Sequence, residues 1–502
     1  MALFLYIISI FVVIQNVYGS DLFSYVNMEK YYFIEEELIG LTNAIVEIER
    51  KGHSEGDVHD IFQHSRIIQH TKHIHVDVSH LEDYLAHPIN IFHLTKRLAT
   101  TWRTTIESLL ESSLCVNDLK FKLLDIEDNI PSESHFNNIT YAVLGLQIFR
   151  GYSIVDMMNG SVNGVQPHEP VTLEDAVDFG MSAYAIGDLK RSISWLEFVI
   201  NEIGNSTDDV GRHSIGKLYS SLATVYSQNN NIDKALETLG RYLNLVPDSV
   251  TAKQSEEYFR MKKSTGSSKK KTRITASKFK RLREGLCSGS ISMTNQKAKG
   301  RTVTLNTWDE SFLTRKVYFD AIVMRRRPLI VLIPGMIDKD TATNITNLGY
   351  DKMFDKIIPA NKYGNPKYRV KVNDTSGSYT IAVQEDLSQI KLTRYPPQKT
   401  RFEVFNIGLD GVHSTPAKKR SGPSFSGTML TALSDTTAGG EVVFPLSKTR
   451  MKLNKGDVLF YEAGASMSIC PVLFGSQWYG TMDVFESLPN RVCGLKHRVI
   501  DV

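Results

Sequence analysis

The stretch at 406–419, NIGLDGVHSTPAKK, has the strand-and-loop arrangement in which an enzyme could place metal ligands, but it lacks the side chains to bind a metal. A strand-like run at 402–408 leads into a loop, and loops carried on a rigid scaffold commonly hold catalytic residues. Such a loop could carry metal ligands, among which imidazoles and carboxylates are common. The loop offers a single histidine, His413, and the residue two positions further on is Thr415 rather than an acid. Proline and basic residues complete the loop, which therefore lacks a usable ligand set.

Metal-ligand residue types also occur near the N-terminus, in His73-Ile-His75-Val-Asp77. The surrounding region reads as helical, and in a helix residues i and i+2 point to different faces. In a strand they would share a face, so a zinc or copper site stays open as an alternative. A polar, histidine-rich surface loop is the simpler interpretation.

The four cysteines are widely spaced and form no CxxC pair, which argues against a zinc knuckle. Cys470 and Cys493 flank the same predicted sheet, and we predict a disulfide between them in an oxidising compartment. Cys115 and Cys287 are then left unpaired.

The N-terminus predicts entry into the secretory pathway. Residues 2–14 form an uncharged apolar run, shorter than the roughly 20 residues that span a bilayer, and small residues follow at Gly19 and Ser20. This pattern is typical of a cleaved signal peptide. We expect a protein of the endoplasmic reticulum lumen with no membrane span, and its retention would need a partner because the chain does not end in KDEL. Five glycosylation sequons fit this compartment: Asn138, Asn159, Asn205, Asn344 and Asn373.

Composition describes an ordinary globular protein of several domains. A chain of 502 residues exceeds the size of a typical single core. A net charge of +3 gives no reason to expect nucleic acid or a membrane surface as a partner. The basic run at 260–273 contains no acidic residue, and we interpret it as a solvated linker.

Residues 20–165 read as helical. Apolar residues follow a 4-3-4-3 spacing at Ile34, Leu38, Leu41, Ile45 and Ile48. This seam fits a short coiled coil or one helix of a bundle equally well. A second helix is predicted in HPINIFHLTKRLATTW, where proline stands at a helix start.

Residues 173–250 contain two copies of a helix-turn-helix repeat with tetratricopeptide spacing. The second copy carries Leu222, Ala223, Tyr226, Ala235, Leu239, Tyr242 and Pro247 at these positions. Two repeats form a small groove for an extended peptide.

From about residue 285 the sequence favours β-structure. Short runs rich in β-branched and aromatic residues alternate with turn residues, which suggests a sandwich or jelly roll. The predicted strands are Leu329–Ile333, Phe402–Ile407, Met429–Leu433, Glu441–Phe444, Asp457–Tyr461 and Trp478–Phe485.

Five segments resemble the α-subunit family of collagen prolyl 4-hydroxylase, in matching order and spacing. They are HPINIFHLTKRLATTW (87–102), NNNIDKALETLGRYLNLVPD (229–248), LSDTTAGGEVVFP (433–445), NKGDVLFYE (454–462) and CPVLFGSQW (470–478). The resemblance implies an N-terminal dimerisation region, a peptide-substrate domain and a double-stranded β-helix of the Fe(II)/2-oxoglutarate dioxygenase type. It also implies assembly with protein disulfide isomerase.

The sequence thus predicts an α+β multidomain protein with an all-α N-terminal half and a C-terminal double-stranded β-helix, or jelly roll. The expected parts are a signal peptide at 1–19, a helical dimerisation domain at 20–165, a tetratricopeptide-like peptide-substrate domain at 170–258, a basic linker at 259–284, a dioxygenase-like β-helix at 285–490 and a tail at 491–502.

The resemblance implies two histidines and an aspartate for iron and a lysine for 2-oxoglutarate. The matching positions here are Pro416, Lys418, Met467 and Gln477. Proline has no donor atom, an ammonium repels a cation, and a thioether is a poor ligand for iron(II). We therefore predict that the chain has no catalytic or metal site and takes no cofactor.

The peptide groove is predicted to keep only part of its aromatic surface. Tyr184 and Tyr226 match aromatic positions of the family, whereas other family tyrosines fall on Ser220 and Ala223. Aromatic faces stack on proline rings in polyproline II ligands. A core position for Tyr226 fits the sequence at least as well.

The function that follows is binding without iron-dependent catalysis. The expected partners are protein disulfide isomerase as a β-type subunit, another α-type subunit, and a proline-rich or collagen-like peptide, with no nucleic acid. Two alternatives stay open. One is an active procollagen-proline 4-dioxygenase that uses Fe(II), 2-oxoglutarate, O₂ and ascorbate. The other is a peptide-binding chaperone that acts without an isomerase.

Overall fold

The structure is a computed structural model. It describes residues 24–52, 58–111, 117–203, 209–264, 278–292, 300–308, 314–356, 370–372, 378–385, 388–389, 402–409, 411 and 425–485. Within these residues the N-terminal half is helical and the C-terminal part carries the strands, as predicted.

The helices of the N-terminal half are numbered in chain order. They are α1 (Tyr25–Gly52), α2 (Val58–Asp77), α3 (Leu81–Ala86), α4 (Pro88–Lys96), α5 (Arg103–Glu111), α6 (Asn117–Glu127), α7 (Glu133–Val143), α8 (Gly145–Arg150), α9 (Ile154–Asn159), α10 (Leu173–Ala185), α11 (Leu189–Ile203), α12 (Asp209–Gln228), α13 (Ile232–Leu245), α14 (Val250–Ser264) and α15 (Lys278–Cys287). A π-helical segment, Arg97–Trp102, joins α4 to α5.

The apolar seam of α1 packs within the chain. Leu38 and Ile45 are fully buried, and α1 lies against α2 and α6. Ile48, the last member of the seam, is 39% exposed. The seam therefore packs α1 against its neighbours as one helix of a bundle.

The histidine-rich segment forms a helix rather than the surface loop that was the simpler sequence interpretation. Residues 58–77 make up α2, and His73 forms an exposed i,i+4 pair with Asp77 at 3.4 Å. His75 faces inward, with its ring stacked on Tyr32 at a centroid distance of 4.1 Å. The helical period thus separates the two histidines onto different faces.

Helices α10 to α13 form two successive helix pairs, α10 with α11 and α12 with α13. Gly180 lets α10 approach α11 closely, because a Cβ at this position would lie 3.1 Å from the Leu196 side chain. Leu222, Ala223 and Leu239 are buried between the helices. These three positions, which the sequence spacing selected, are therefore core positions.

Both ends of the predicted linker are helical, contrary to the expectation for 259–284. Helix α14 continues to Ser264 and α15 begins at Lys278. The physical reason is that each segment buries an apolar side chain, Phe259 in α14 and Leu286 in α15. Charged i,i+4 pairs such as Arg260 with Glu256 further stabilise the helical form.

The C-terminal part contains one long helix, α16 (Lys339–Lys356), among strands. The strands are β1 (Gly300–Trp308), β2 (Thr314–Arg326), β3 (Leu329–Ile333), β4 (Val370–Val372), β5 (Ser378–Glu385), β6 (Ser388–Gln389), β7 (Phe402–Ile407), β8 (Phe425–Ala432), β9 (Ala438–Gly439), β10 (Val442–Phe444), β11 (Thr449–Met451), β12 (Val458–Glu462), β13 (Ser468–Ile469), β14 (Val472–Phe474) and β15 (Gln477–Phe485). A strand lies in each of the six predicted segments, and β3 and β7 have the predicted bounds.

Among the described residues, the strands form one large and two small antiparallel sheets. The large sheet has the order β4-β7-β15-β8-β12-β3-β2-β1-β5-β6, and the small sheets have the orders β11-β10-β13 and β14-β9. One apolar core contains residues of both kinds of sheet, with Phe405 and Tyr479 from the large sheet and Val442 and Ile469 from a small one. The Tyr479 hydroxyl donates to the carbonyl of Gly440 at 2.9 Å and links the two layers.

The helical half and the strands share cores. Val26 of α1 is fully buried in the β-core, and the Tyr25 amide donates to Asn406 Oδ1 at 2.7 Å. In the opposite direction, Leu409 and Leu473 lie in the main helical core. The helical half and the strands therefore pack directly against each other and are not two modules connected only by a linker.

The predicted disulfide is wrong, because Cys470 bonds to Cys287, with a Cα–Cα distance of 5.6 Å. Helix α15 packs on β10 and β11, and the Cys470 amide donates to the carbonyl of Glu441 beside β10. This packing places the last residue of α15 against Cys470. Cys287 is therefore not free, while Cys115 and Cys493 lie outside the described residues.

Within the described residues, no helix combines the length and the apolar composition needed to cross a membrane. The predicted signal peptide at 1–19 lies outside these residues. Of the five sequons, Asn138, Asn159 and Asn344 are exposed, and Asn205 and Asn373 lie outside the described residues.

Candidate functional site

Met467 lies inside the β-core. It comes directly before β13, whose Ile469 pairs with Val442 of β10. Its side chain is 7% exposed and belongs to the apolar core that also contains Met451 and Leu453. The position that the family resemblance assigns to a histidine ligand is therefore filled by an apolar side chain packed among others.

Gln477 begins β15 and is 1% exposed. It pairs with Ile407, the last residue of β7, so it lies beside the end of that strand. Its Oε1 lies against Gly440, whose φ of +73° and missing Cβ make room for the amide. Within the described part of the chain, this oxygen has no hydrogen-bond donor.

These two residues do not fit iron(II) or 2-oxoglutarate. A thioether is a soft ligand and a poor one for iron(II). The neutral amide of Gln477 lacks the positive charge that would balance a buried carboxylate, and burying an unbalanced charge is costly. Among the described residues, no group of three or more His, Cys, Asp or Glu side chains could hold a metal ion.

The remaining positions of the predicted site are not described. Pro416, Lys418 and the neighbouring His413 lie in 412–424, outside the described residues. Their substitution is a fact of the sequence, and their placement stays a prediction.

This chain retains several residues of the family motifs, and these residues stabilise turns. Gly439 has a φ of +84°, and a Cβ there would collide with the backbone of Pro471. Asp457 accepts from the amide of Gly335 at 2.9 Å and from the amide of Asn454 at 2.9 Å. These residues fix the connections between strands.

The structure places Tyr226 in the repeat core, which corrects its assignment to a peptide-binding surface. Its ring is 4% exposed, and its hydroxyl donates to Glu197. Lys234 Nζ lies 5.2 Å from the ring centroid. Burial and the hydrogen bond to Glu197 raise the pKa of this hydroxyl. The aromatic face is therefore not available to a ligand.

Tyr184, the other predicted groove residue, is half-buried on α10 and packs against the repeat core. Its hydroxyl accepts from Gln228 Nε2 of α12 at 2.5 Å. Three large apolar or aromatic side chains on α10 and α14 are more exposed than Tyr184: Met181 at 38%, Tyr258 at 55% and Met261 at 56%.

Sequence reasoning missed a buried ionic cluster in the helical half. Glu35 is fully buried and accepts from Arg97 at 2.8 and 2.9 Å, from Trp102 Nε1 at 3.0 Å and from His75 Nε2 at 3.0 Å. Arg97 also donates to Glu169 at 2.7 Å. Burial alone would raise the pKa of Glu35, but the Arg97 charge and the hydrogen bonds outweigh it and lower the pKa to about 2. Nothing in the local sequence pattern brings these residues together.

A second cluster joins α4 to α10. Asp175 caps α10 by accepting from the Thr172 amide at 2.8 Å, and it also bonds to His93 Nε2 at 3.1 Å and to Lys96 Nζ at 2.8 Å. Burial would raise the pKa of Asp175, but these partners hold it well below its usual range. The cluster fixes the first repeat helix against the N-terminal region.

Comparisons with known proteins agree with the motif resemblance. The profile described as "Prolyl 4-Hydroxylase alpha-subunit, N-terminal region" matches residues 24–164. The chain is 23% identical over 456 residues to the prolyl 4-hydroxylase subunit alpha-2 of Caenorhabditis elegans, covering 83% of this chain and 84% of the relative. It is 22% identical over 458 residues to the human prolyl 4-hydroxylase subunit alpha-1, covering 79% and 82% respectively.

Among solved structures, a crystal structure of the viral collagen prolyl hydroxylase of Paramecium bursaria Chlorella virus-1 matches 32% of this chain and 90% of the viral one. The identity is 13% and the TM-score is 0.22, too low to define a shared fold. The relatives match about four fifths of the sequence, and the profile matches its N-terminal region. Along this length the chain is similar to the α-subunits of prolyl 4-hydroxylase.

Proposed function

We propose that this protein is an α-subunit-like binding protein of the secretory pathway without iron-dependent catalysis of its own. The observation that carries the proposal is the pair Met467 and Gln477, buried in the β-core at two of the four positions where the family places its iron and 2-oxoglutarate ligands. The substitutions Pro416 and Lys418 extend the same argument in sequence.

The strand arrangement supports a double-stranded β-helix. A large and a small sheet enclose one apolar core, and the Tyr479 hydroxyl bridges the two layers. This architecture is retained through turn residues such as Gly439 and Asp457 rather than through ligands. We propose that the β-part now serves as a binding scaffold.

The partners we propose are a protein disulfide isomerase as β-type subunit, another α-type subunit, and a proline-rich or collagen-like peptide. The two helix pairs α10–α13, which we take as tetratricopeptide-like repeats, support the peptide because Tyr184 remains partly exposed, with its hydroxyl bonded to Gln228 at the surface. Location in the endoplasmic reticulum lumen follows from the apolar run at 2–14 and from the family's substrate class.

The test is iron and turnover measured on the full chain purified with an isomerase partner. We expect neither stoichiometric iron(II) binding nor peptide-dependent decarboxylation of 2-oxoglutarate. Stoichiometric iron together with turnover of a proline-rich peptide would overturn the proposal in favour of an active dioxygenase. A client peptide that is bound equally well without any isomerase would favour the chaperone alternative.

Two variants sharpen this test. Met467→His alone restores one of three ligands while Lys418 still repels a cation, so we expect no iron binding. The triple variant Pro416→His, Lys418→Asp and Met467→His restores the full set, and we expect it to gain iron affinity. Tight iron binding by the single variant would contradict the assignment of Lys418 to the aspartate position.

A further inference from the structure

We propose that the disulfide between Cys287 and Cys470 is a site of thiol–disulfide exchange for small thiols that carry carboxylate groups. The site is a cleft between the end of α8, the end of α15 and the two small sheets. It depends neither on peptide binding nor on iron.

The disulfide forms part of the wall of this cleft. Cys287 and Cys470 line it together with Arg150 at the end of α8 and with Glu441 and Arg450 of the small-sheet region. The volume of the cleft is about 60 Å³. This space holds a few water molecules or the CH₂–SH end of a thiol, but not a whole tripeptide. The rest of a reacting thiol therefore stays at the mouth of the cleft.

The two sulfurs differ in accessibility. Cys287 is 7% exposed, whereas Cys470 is 2% exposed. Both belong to a small apolar cluster, against which Phe149 and Ile291 pack. Access to the sulfur is one of the factors that set the rate of exchange. Cys287 is therefore the sulfur that an entering thiol attacks.

The charges beside the disulfide favour an anionic thiol. Arg450 donates to Glu441 Oε1 at 2.7 Å, so these two charges balance each other. Arg150 is exposed, and among the described residues no carboxylate pairs with it. A cation at this position attracts carboxylates, and it also favours the thiolate form, which is the nucleophile in exchange.

The exchange consists of two displacements. The thiolate of one small thiol attacks the Cys287 sulfur, which forms a mixed disulfide, breaks the bond to Cys470 and releases Cys470 as a thiolate that takes a proton from water. A second thiolate then attacks the sulfur of the bound small thiol, which releases Cys287 and forms the disulfide of the small thiol. Two thiol molecules thus supply the two electrons and two protons that convert the disulfide into two cysteine thiols. The reverse sequence forms the bond again.

Other contacts keep the two cysteines in place when the bond is open. Arg450 Nη1 donates to the carbonyl of Leu286, the neighbour of Cys287, at 3.0 Å. The Cys470 amide donates to the carbonyl of Glu441 at 2.8 Å. Neither hydrogen bond needs the disulfide, so the exchange is reversible in the folded chain.

The experiment measures the rates at which glutathione and cysteamine reduce the disulfide in the full, native chain. Glutathione carries carboxylates and a net negative charge, whereas cysteamine is a cation. The readout is the ratio of the two rate constants, because the intrinsic reactivity of each thiol cancels when this ratio is compared between variants. We expect Arg150→Gln to lower the ratio about 3-fold at low salt, and added salt to reduce the difference. Arg66→Gln, at an exposed position of α2 outside the cleft, is the matched control and should keep the wild-type ratio.

Acid quenching, alkylation and peptide mapping locate the intermediate. We expect glutathione on Cys287 and the alkyl group on Cys470. An Arg150→Gln protein with the wild-type ratio, which is the result if the bond opens only after unfolding, would overturn the proposal. Glutathione found on Cys470 instead of Cys287, or a disulfide that glutathione reduces only in the denatured chain, would overturn it as well.

Discussion

At the scale of single residues, the carboxylate of Glu35 is held in place by its hydrogen-bond partners. It is fully buried and surrounded by donors, with Arg97 on two of its bonds and with Trp102 and His75 on the others. A buried pair of this kind is costly to break, because the remaining partner is left as an uncompensated charge. Among the described residues, Arg97 would keep only Glu169 as a charged partner.

The lowered pKa of Glu35 gives a prediction for stability against pH. The folded value of about 2 lies below the unfolded value near 4.5, so the stabilisation is complete above about pH 4.5 and is lost as the pH falls toward 2. The difference corresponds to about 3 kcal/mol. We expect Glu35→Gln to lower the free energy of unfolding at pH 7 by about this amount and to flatten its dependence on pH between 2 and 4.5.

Denaturant unfolding at a series of pH values measures this effect. Glu36→Gln is the matched control, because Glu36 is its exposed neighbour on α1 and should leave the profile unchanged. An acid-dependent loss of stability that is the same in Glu35→Gln and in the wild type would contradict the role of the cluster.

Whether the role of a single residue can be predicted from sequence depends on whether that role is set by residues close to it in the chain. Met467 and Gln477 could be proposed for the family's ligand positions because they have fixed offsets from Cys470 and Pro471. The Glu35 cluster could not, because its members are brought together only by the packing of α1, α2 and the π-helical segment. The burial of Tyr226 was an open alternative that spacing alone could not decide.

At the scale of elements, strands were predictable where apolar runs end at turn residues. The segments Leu329–Ile333 and Phe402–Ile407 have this pattern, and β3 and β7 match them. Helix α16 was missed within the β-rich region, although Asp338 signals its start by accepting from the Thr341 amide at 2.8 Å. Helix α15 was missed because its lysines and arginines resembled those of a linker.

The pairing of Cys470 lay beyond sequence reasoning, since four cysteines allow several pairings and tertiary contact decides between them. The bond to Cys287 joins residues 183 positions apart and fastens α15 to the small sheet. Closing so long a loop restricts the unfolded chain strongly in the loop-entropy view. We expect Cys287→Ser and Cys470→Ser each to lower the free energy of unfolding by about 2–4 kcal/mol, and the double variant to add little.

Peptide mapping without reduction tests the bond directly. The expected crosslinked peptide contains Cys287 and Cys470, and Cys493→Ser serves as the control that leaves it intact. A crosslink between Cys470 and Cys493 would contradict the assignment.

At the scale of the whole molecule, the helical half and the strands pack against each other, so the structure of each part depends on the other. The Gly475 amide donates to the carbonyl of Ala86 at 2.8 Å, and the ring of His87 meets Phe474 edge-on at 5.8 Å. Both contacts lie just before β15, the strand that begins with Gln477. The helical half therefore supports the turn that positions a candidate site residue. The sequence showed the motif HPINIFHL but gave no sign of what it touches.

The start of α1 allows a test of whether the strands depend on the helical half, because it contacts strands that lie nearly 400 residues further along the chain. Val26 is fully buried in the β-core, and Glu29 accepts from the Tyr350 hydroxyl at 2.5 Å. Val26→Asp would place a charge among apolar side chains, which costs several kcal/mol unless the contact opens. We expect the contact to open and the backbone amides of β7 and β15 to exchange hydrogen at least 10-fold faster, because their cover is lost. Ile48→Asp, at a 39% exposed position of the same helix, is the control and should leave β7 and β15 protected. Unchanged protection of these strands in Val26→Asp would mean that the β-part holds its structure without α1.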